Sequence, residues 1–339
     1  MSPTRSGASS MAARSLGGGD VNGRWCLVTG GAGFVGSRVI RALNTGGRNN
    51  VVLVDSFARR PEKLATLSKL RVADFIDYFT LDGLSVEDLD HRLPPLDVIF
   101  HVGAWTDVLE TDVTSMLRYN FEHSRKWLEL GQLRGIPVVY ASTSALYGNS
   151  GLCRADDAAS EQPLTPYGHS KLLLDRWVHA HLDHWKSPVV GFRFFNVFGP
   201  GESHKSRNAS IPTRFFAFLR ERGLIDLFEG DIRRDYVHAD DVASVLIRAW
   251  ESGPVSGVYN LGSGVAISHR EIAEAAVRTA RELGVPLDAD PIRTVPMPDD
   301  LRKKFQFHTR AEGVLPWISH QTGGPREKMV SYWMGLAKT

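Results

Sequence analysis

The clearest chemical signal in the sequence is a tyrosine and a lysine four residues apart, Tyr167 and Lys171. This spacing predicts that both side chains lie on one face of a helix. A phenol has a pKa of about 10, so it needs help to exchange a proton at neutral pH. A neighbouring ammonium group favours the phenolate and lowers the pKa of the phenol. The pair therefore predicts an acid–base centre in which Tyr167 transfers the proton.

A hydroxyl group and a glycine-rich turn accompany this pair. Thr143 follows an apolar run, and we expect it to offer its hydroxyl to the substrate oxygen that is oxidised. Gly30, Gly33 and Gly36 follow the first apolar run and open a helical pattern that runs from Val35 to Leu43. Glycines with this spacing permit a tight turn, close approach to a pyrophosphate and close packing of a helix on a strand. The turn therefore predicts a dinucleotide site at a helix start.

The choice of dinucleotide depends on the end of the second predicted strand. Asp55 stands there and suits a ribose hydroxyl. Arg59, Arg60 and Lys63 follow and could hold a 2′-phosphate, although they also fit a solvent-exposed helix start. NADP is therefore slightly favoured, with NAD as the alternative. Asn120 is expected either to lock a loop to a strand by hydrogen bonds or to lie on the surface. The residues expected at the cofactor are Gly30, Gly33, Phe34, Gly36, Asp55, Ser56, Arg59, Lys63, Gly103, Ala104, Asn120, Tyr167, Lys171 and Val197.

The pattern of apolar residues predicts the elements that position these groups. Apolar runs rich in β-branched residues alternate with amphipathic segments, and the runs lie near 25–29, 51–55, 75, 97–102, 136–142 and 189–195. This alternation predicts an α/β protein with a Rossmann-type doubly wound parallel sheet. After residue 198 the elements become short and mixed, which predicts a smaller mixed α/β substrate lobe. We expect a disordered tail at 1–22, an NAD(P)-binding Rossmann domain at 23–198 that regains a helix near 239–252, and mostly substrate lobe at 199–339.

Length, charge and cysteine content limit the classes of protein. A chain of 339 residues buries a core without a metal or a disulfide, and a net charge of +2 is too small to suggest nucleic-acid binding. Cys26 and Cys153 match no disulfide framework and no metal spacing, so we expect no metal and a reducing cytoplasm. No run reaches the roughly 18 apolar residues of a membrane span. A transit peptide is the alternative for the N-terminal tail.

The glycine turn, Thr143 and the Tyr167/Lys171 pair together resemble the extended short-chain dehydrogenases/reductases, over about residues 24–320. That family includes nucleotide-sugar epimerases, dehydratases and reductases. Its dehydratases typically place an acidic pair directly after the hydroxyl residue, where this chain has Ser144 and Ala145, so dehydration is not expected. Later segments resemble the ADP-L-glycero-D-manno-heptose 6-epimerases, namely 192–200, 201–210, 227–230, 234–237 and 296–301 with 305–306.

This closer resemblance implies an epimerase with a second catalytic lysine, Lys205. The family inverts a carbinol carbon by transient oxidation to a ketone with bound NADP, followed by return of the hydride to the other face. It also implies a nucleotide-diphosphate sugar as substrate and a homo-oligomer, with a pentamer among the alternatives. The residues expected at the substrate, with Arg234 favoured for the diphosphate, are Trp105, Thr106, Asn196, Arg207, Arg214, Phe228, Arg234 and Phe305.

Several of these positions depart from the family pattern. Phe305 stands where the epimerases usually carry a tyrosine, Arg207 and Arg214 replace smaller or neutral groups, and Trp105 is bulkier than usual. Because sites that hydrogen-bond a sugar hydroxyl discriminate strongly against its absence, the sugar, the base and the inverted carbon stay open. The alternatives are an epimerase acting at another carbon of an ADP- or GDP-linked hexose or heptose, a nucleotide-sugar reductase, and a non-catalytic dinucleotide-binding protein.

Overall fold

The computed structural model describes most of the chain beyond the N-terminal segment. The predicted tail at 1–22 and the candidate residues Arg59 and Arg207 lie outside the described residues. The described residues are 23, 25–58, 60–106, 112–150, 153–202, 205, 208–253, 255–303, 305–313 and 324–337.

Seven parallel strands form the central sheet. Their bounds are Trp25–Thr29 (β1), Val51–Asp55 (β2), Asp74–Asp77 (β3), Leu96–His101 (β4), Val138–Thr143 (β5), Val189–Phe194 (β6) and Gly257–Leu261 (β10). Their order is β10-β6-β5-β4-β1-β2-β3, and each pairing is parallel. The chain order reverses between β1 and β4, and ligands of such sheets bind in the crevice at that point. The predicted Rossmann-type sheet is confirmed.

Helices cover both faces of this sheet, which is why its central strands β1, β2, β4 and β5 are largely apolar and buried. The helices are α1 (Phe34–Thr45), α2 (Leu64–Leu67), α3 (Val86–Arg92), α4 (Val113–Leu117), α5 (His123–Arg134), α6 (Pro166–His181), α7 (Ile211–Arg222), α8 (Ala239–Glu251), α9 (His269–Glu282), α10 (Asp299–Arg302) and α11 (Pro325–Leu336). α1 and α8 pack on one face and α5 and α6 on the other. In the part of the chain that the structure describes, none of these helices has the length and hydropathy of a membrane span.

The smaller lobe contains two short sheets and a helical cover. Its strands are β7 (Asn196–Phe198), β8 (Ile225–Phe228), β9 (Arg233–His238), β11 (Ala266–Ser268) and β12 (Ile292–Val295). β9 pairs with β7 in parallel and with β11 in antiparallel orientation, while β8 pairs in parallel with β12. α7, α9 and α11 close a separate apolar core around Phe216 and Trp333, whose rings stack at 5.8 Å.

The chain returns to the central sheet after residue 198 with a strand as well as a helix. The expected helix near 239–252 is α8, which packs on α1. The strand β10, which pairs with β6, is an addition to that expectation. Asn260 is a fully buried polar residue within the apolar pattern of β10. Its amide group donates to the carbonyl oxygens of Cys153 (2.6 Å) and Glu312 (2.8 Å).

Candidate active site

The glycine-rich turn joins β1 to α1 without room for side chains. Gly30 has φ +65°, and a Cβ added there would lie 2.5 Å from the Cα of Gly103. A Cβ on Gly36 would lie 2.1 Å from the carbonyl oxygen of Gly30. The backbones of the turn, of α1 and of the loop after β4 therefore meet directly and present the N–H groups of a helix start at the carboxyl edge of the sheet. These residues fit the pyrophosphate of a dinucleotide.

Asp55, at the end of β2, is held by three donors. Its Oδ2 accepts the N–H of Ala32 (2.9 Å), and its Oδ1 accepts the N–H of Ser56 (2.7 Å). The Nζ of Lys63 lies 2.9 Å from the same Oδ1. Asp55 is buried, so this ion pair compensates its charge beside the position expected for the cofactor ribose.

His101 connects the first strand with the helix behind it. Its Nδ1 lies 2.8 Å from the hydroxyl of Thr29, and its Nε2 lies 2.8 Å from the hydroxyl of Ser124. The Thr29 hydroxyl accepts the N–H of Gly103 (3.0 Å) and therefore donates to Nδ1, so that Nε2 carries the proton. Burial, with the charge of Lys171, holds the pKa of His101 well below its usual range. The neutral ring thus fixes Gly103 against the glycine turn.

Asn120 lies in a π-helical turn, Arg118–Glu122, between α4 and α5. It is fully buried, so the expected locking role describes it better than a surface position. Its side chain accepts the N–H of Trp105 (2.8 Å) and donates to the carbonyl of Trp105 (2.9 Å) and to the hydroxyl of Ser170 (3.2 Å). The turn thereby fastens the loop after β4 to α6, and π-helical turns of this kind are frequent at functional sites.

The acid–base pair lies at the start of α6. The side chain of Thr165 accepts the N–H of Gly168 (3.2 Å) and caps the helix, which places Tyr167 in the first turn and Lys171 one turn later. The hydroxyl of Thr143, at the end of β5, acts on the phenol of Tyr167 and lowers its pKa. Burial is the larger effect and raises the pKa of Tyr167 to about 12. The sequence predicts that Lys171 lowers the pKa of this phenol, but in the structure the effect of burial is larger.

Lys171 is fully buried behind the tyrosine. Its Nζ donates to the carbonyl oxygen of Ala141 (2.9 Å). Burial lowers the pKa of Lys171 to about 8, against the opposing effect of Asp175 one turn further along α6. A lysine with this pKa exchanges its proton readily near neutral pH, which suits a group beside a proton-transfer centre.

A buried ionic network fixes α6 to the sheet. Arg193, on β6, is fully buried and donates to Asp175 (2.8 Å), to the hydroxyl of Tyr147 (3.0 Å) and to Glu161 (2.6 Å). Asp175 also accepts the hydroxyls of Tyr140 (2.9 Å) and Ser142 (2.8 Å). These hydrogen bonds join charged and polar groups from three elements, so the network holds α6, β5 and β6 in one arrangement.

Lys205 lies on the loop between β7 and α7. Its Nζ stands 4.9 Å from the ring centre of Phe34, the first residue of α1, and burial lowers its pKa. Glu202 organises this loop: it is fully buried and accepts hydrogen bonds from the N–H of Gly199 (3.0 Å), from the N–H and hydroxyl of Ser210 (2.6 and 2.8 Å) and from the hydroxyl of Thr213 (2.8 Å). The loop thus brings the lysine to the glycine turn. The described contacts of Lys205 do not reach Tyr167.

The arginine expected at the diphosphate is tied to the loop after β5. Arg234 donates to the carbonyl oxygen of Gln306 (3.1 and 2.7 Å), and its guanidinium lies 4.4 Å from the ring centre of Phe305. The amide group of Gln306 in turn donates to the carbonyl oxygen of Ser144 (3.0 Å), the residue after Thr143. Asn196 donates to the carbonyl oxygen of Asp235 (2.9 Å) on the neighbouring strand. The substrate lobe therefore reaches the segment directly after Thr143 through hydrogen bonds.

The remaining candidate residues lie on five segments. Ser56 follows Asp55 at the end of β2, and Ala104, Trp105 and the exposed Thr106 form the loop after β4. Val197 is the middle residue of β7, and Phe228 is the last residue of β8. Arg214 lies in the first turn of α7, and burial lowers its pKa.

Several residues at the site were not singled out from the sequence. Arg193 carried a signal, since an arginine inside the apolar run of β6 requires a buried partner. Asp175 carried another, because it follows Lys171 by one helical turn. Glu202 and His269, which is discussed below, gave no such signal, since Glu202 lies in a polar stretch and the rings and arginines around His269 come from distant segments. Among the described residues, no group of three or more histidine, cysteine or acidic side chains is arranged to hold a metal.

The fold and this site define a class of enzyme with a Rossmann-type dinucleotide cradle beside a Thr–Tyr–Lys centre. The model of the NAD dependent epimerase/dehydratase family matches residues 26–262. The chain belongs to this family, within the extended short-chain dehydrogenases/reductases.

Particular relatives are similar over most of their length. The chain is 36% identical over 293 residues to the ADP-L-glycero-D-manno-heptose-6-epimerase of Alkalilimnicola ehrlichii, covering 84% of this chain and 88% of that protein. The crystal structure of the Helicobacter pylori ADP-L-glycero-D-manno-heptose-6-epimerase is similar with a TM-score of 0.77 and 25% identity, covering 94% of this chain and 97% of that chain. The structure of MoeE5 in complex with UDP-glucose and NAD has a TM-score of 0.72 and 27% identity, covering 93% of this chain and 100% of that chain.

Proposed function

We propose that this protein is a nucleotide-sugar epimerase resembling the ADP-heptose 6-epimerases. The observation that carries the proposal is that two basic groups approach the dinucleotide cradle from different elements. Tyr167 stands on α6, where the hydroxyl of Thr143 acts on its phenol, and Lys205 stands on the loop before α7 and lies against Phe34. An enzyme that presents a carbonyl in two orientations needs an acid–base group for each, and a simple reductase needs only one.

The proposed reaction avoids removal of a proton from carbon, because the C–H of a carbinol carbon is a very weak acid. A bound dinucleotide supplies the acceptor and donor of the hydride. Thr143 holds the substrate oxygen while the phenolate of Tyr167 takes its proton and a ketone forms. The bound dinucleotide would return the hydride to the opposite face, and the ammonium group of Lys205 would then give a proton to the oxygen. Exchange with solvent then restores both groups, and the ammonium group of Lys171 stabilises the phenolate.

We propose NADP as the preferred cofactor. An aspartate at the end of the second strand repels a 2′-phosphate, but the charge of Asp55 is compensated by Lys63 at 2.9 Å. This ion pair supports NADP over NAD. We also propose a homo-oligomer, with a pentamer among the alternatives, acting in a reducing cytoplasm. The two cysteines are free and buried, which is consistent with that location.

The proposed substrate is a nucleotide-diphosphate sugar, and its exact sugar is where the chain departs from its relatives. The ring of Phe305 lies under the guanidinium of Arg234 instead of offering a hydroxyl to the substrate. Arg214 adds a second cation to the same lobe. These differences favour, as the second candidate, an epimerase that acts at another carbon or on a hexose linked to ADP or GDP.

The test is turnover of ADP-heptose and of ADP- and GDP-hexoses by wild-type and variant enzyme. Tyr167→Phe combined with Lys205→Met is expected to abolish turnover, and each single variant is expected to retain part of it. Tyr259→Phe and Lys186→Met, which lie away from the site, serve as matched controls and should behave as wild type. Full activity in the double variant would remove the proposal, and stoichiometric consumption of NADPH would select a reductase instead.

The same reactions run in deuterated water distinguish direct oxidation at the inverted carbon from enolisation. Direct oxidation at the inverted carbon returns the original hydride, so NMR of the product should show no solvent deuterium at that carbon. Deuterium at the carbon beside the ketone would instead indicate enolisation.

A further inference from the structure

Two guanidinium groups in the substrate lobe lack a carboxylate partner among the described ion pairs. Arg234 extends from β9 and Arg214 from α7, and burial lowers the pKa of both. The described polar contacts of Arg234 are the carbonyl of Gln306 and the side chain of Asn196, which carry no charge. Both arginines are half-buried. Partly desolvated cations without counter-charge are costly, and proteins retain them where an anion binds. This lobe therefore has the charge of an anion site.

His269 lies beside these two arginines. It is the first residue of α9 and is 4% exposed. Its ring stands edge-on to the rings of Phe215 (6.2 Å between centres) and Phe305 (6.4 Å). The guanidinium of Arg234 lies over the ring of Phe305. Within the described part of the chain, the buried Nε2 of His269 has no hydrogen-bond partner. A buried polar atom without a partner costs about 1–3 kcal/mol, so such an atom calls for a functional explanation.

A second polar atom on the same side of β9 has the same property. Tyr236 follows Arg234 by two residues, so both side chains extend from one face of the strand. The buried hydroxyl of Tyr236 also has no partner among the described residues. Two polar atoms without partners, next to two arginines without carboxylates, lie together in one region of the lobe.

The imidazole of His269 is neutral in this environment. Burial, reinforced by the charges of Arg234 and Arg214, lowers its pKa to about 3. A neutral imidazole carries one N–H and donates it without adding a third positive charge to the cluster. This state is suited to a phosphate oxygen that the two guanidinium groups also contact.

We propose that His269 is a substrate-binding residue whose Nε2–H donates to the diphosphate of the nucleotide sugar, between Arg214 and Arg234. The proposal rests on the proposed function, since it requires a nucleoside diphosphate in this lobe. It adds to that function a determinant of affinity that lies outside the acid–base centre.

The experiment measures binding of ADP, GDP and UDP to enzyme saturated with NADP⁺, so that the nucleotide enters only the substrate lobe. His269→Phe removes the nitrogen and keeps a ring between Phe215 and Phe305. It is expected to weaken the best-bound nucleotide by on the order of tenfold or more. His269→Gln retains an N–H near the position of Nε2 and should bind within about threefold of wild type. The affinity for NADP⁺ should be equal in all three proteins.

Two further measurements distinguish this role from a structural one. Free His269→Phe protein should be at least as stable as wild type in thermal unfolding, because a polar atom without a partner is removed. A double-mutant cycle with Arg234→Met should be non-additive, because both side chains are proposed to contact one diphosphate. Additive effects, or His269→Phe that binds nucleotide as tightly as wild type, would overturn the proposal for His269 alone. Failure of the wild-type holoenzyme to bind any of the three nucleotides would overturn the proposed function as well.

Discussion

The two groups proposed as acid–base residues are held by different kinds of structure. Tyr167 stands on α6, and Asp175 fixes that helix to β5 and β6 through buried hydrogen bonds from Tyr140, Ser142 and Arg193. Lys205 stands on a connecting loop, and the side chain of Glu202 gathers four hydrogen bonds from the residues around it. One base therefore belongs to the core of the fold, and the other depends on a single carboxylate.

Because of this difference, we expect loss of one support to lower mainly the stability of the fold and loss of the other to lower mainly turnover. Damage to the support of Tyr167 removes a partner from the interior of the protein, so its main cost appears in folding. Damage to the support of Lys205 loosens the connection between β7 and α7, so we expect its main cost to appear in turnover. Variants of Arg193 and Glu202 test whether the two costs are distributed in this way.

The largest expected effect on stability is that of Arg193→Met. The change leaves Asp175 and Glu161 without their buried cation, and breaking a buried pair in this manner costs about 3–5 kcal/mol. Chemical denaturation monitored by circular dichroism measures the free energy of unfolding. Arg233→Met, which breaks an exposed pair with Asp231 at 2.9 Å, is the control and should cost less than about 1 kcal/mol. Similar losses in the two variants would contradict a structural role for the network.

Glu202→Gln is expected to have a smaller effect on stability and a clear effect on turnover. An amide in place of the carboxylate turns an NH₂ group toward at least one of the four donors, which costs about 1–3 kcal/mol. We expect kcat to fall by on the order of tenfold as Lys205 loses its fixed position. The control is Glu229→Gln, whose carboxylate is half exposed and pairs with Arg302. A Glu202→Gln enzyme with wild-type kcat would show that the loop is ordered by other contacts.

The sequence was sufficient for the part of the site that depends on local patterns. The parallel sheet follows from apolar runs such as Val51–Asp55, and the Tyr167/Lys171 pair follows from helical spacing. The residues that make up each signal lie within a few positions of one another, so each pattern can be read from a single sequence.

The supporting contacts could not be predicted, because they join residues that are distant in the sequence. Arg193 and Asp175 are 18 positions apart, and Thr213 and Glu202 are 11 apart. Asn260 interrupts the apolar pattern of β10 because its amide satisfies two buried carbonyls from other segments. The polar atoms of His269 and Tyr236 are visible only when the whole lobe is assembled, since the absence of a partner is a property of the folded environment.

The smallest expected effect concerns the choice of cofactor and a third supporting contact, the ion pair between Lys63 and Asp55 at the end of β2. Lys63→Met leaves the buried carboxylate of Asp55 without its cation at 2.9 Å. The negative charge would then repel a 2′-phosphate while still accepting a bond from the 2′-hydroxyl of NAD. We expect NADPH to bind about tenfold more weakly and NADH to bind equally well or better, as measured by fluorescence titration. Lys69→Met, a nearby exposed lysine, should change neither value. An equal loss for both dinucleotides would mean that Lys63 supports the strand end without reading the ribose, and that the preference for NADP has another source.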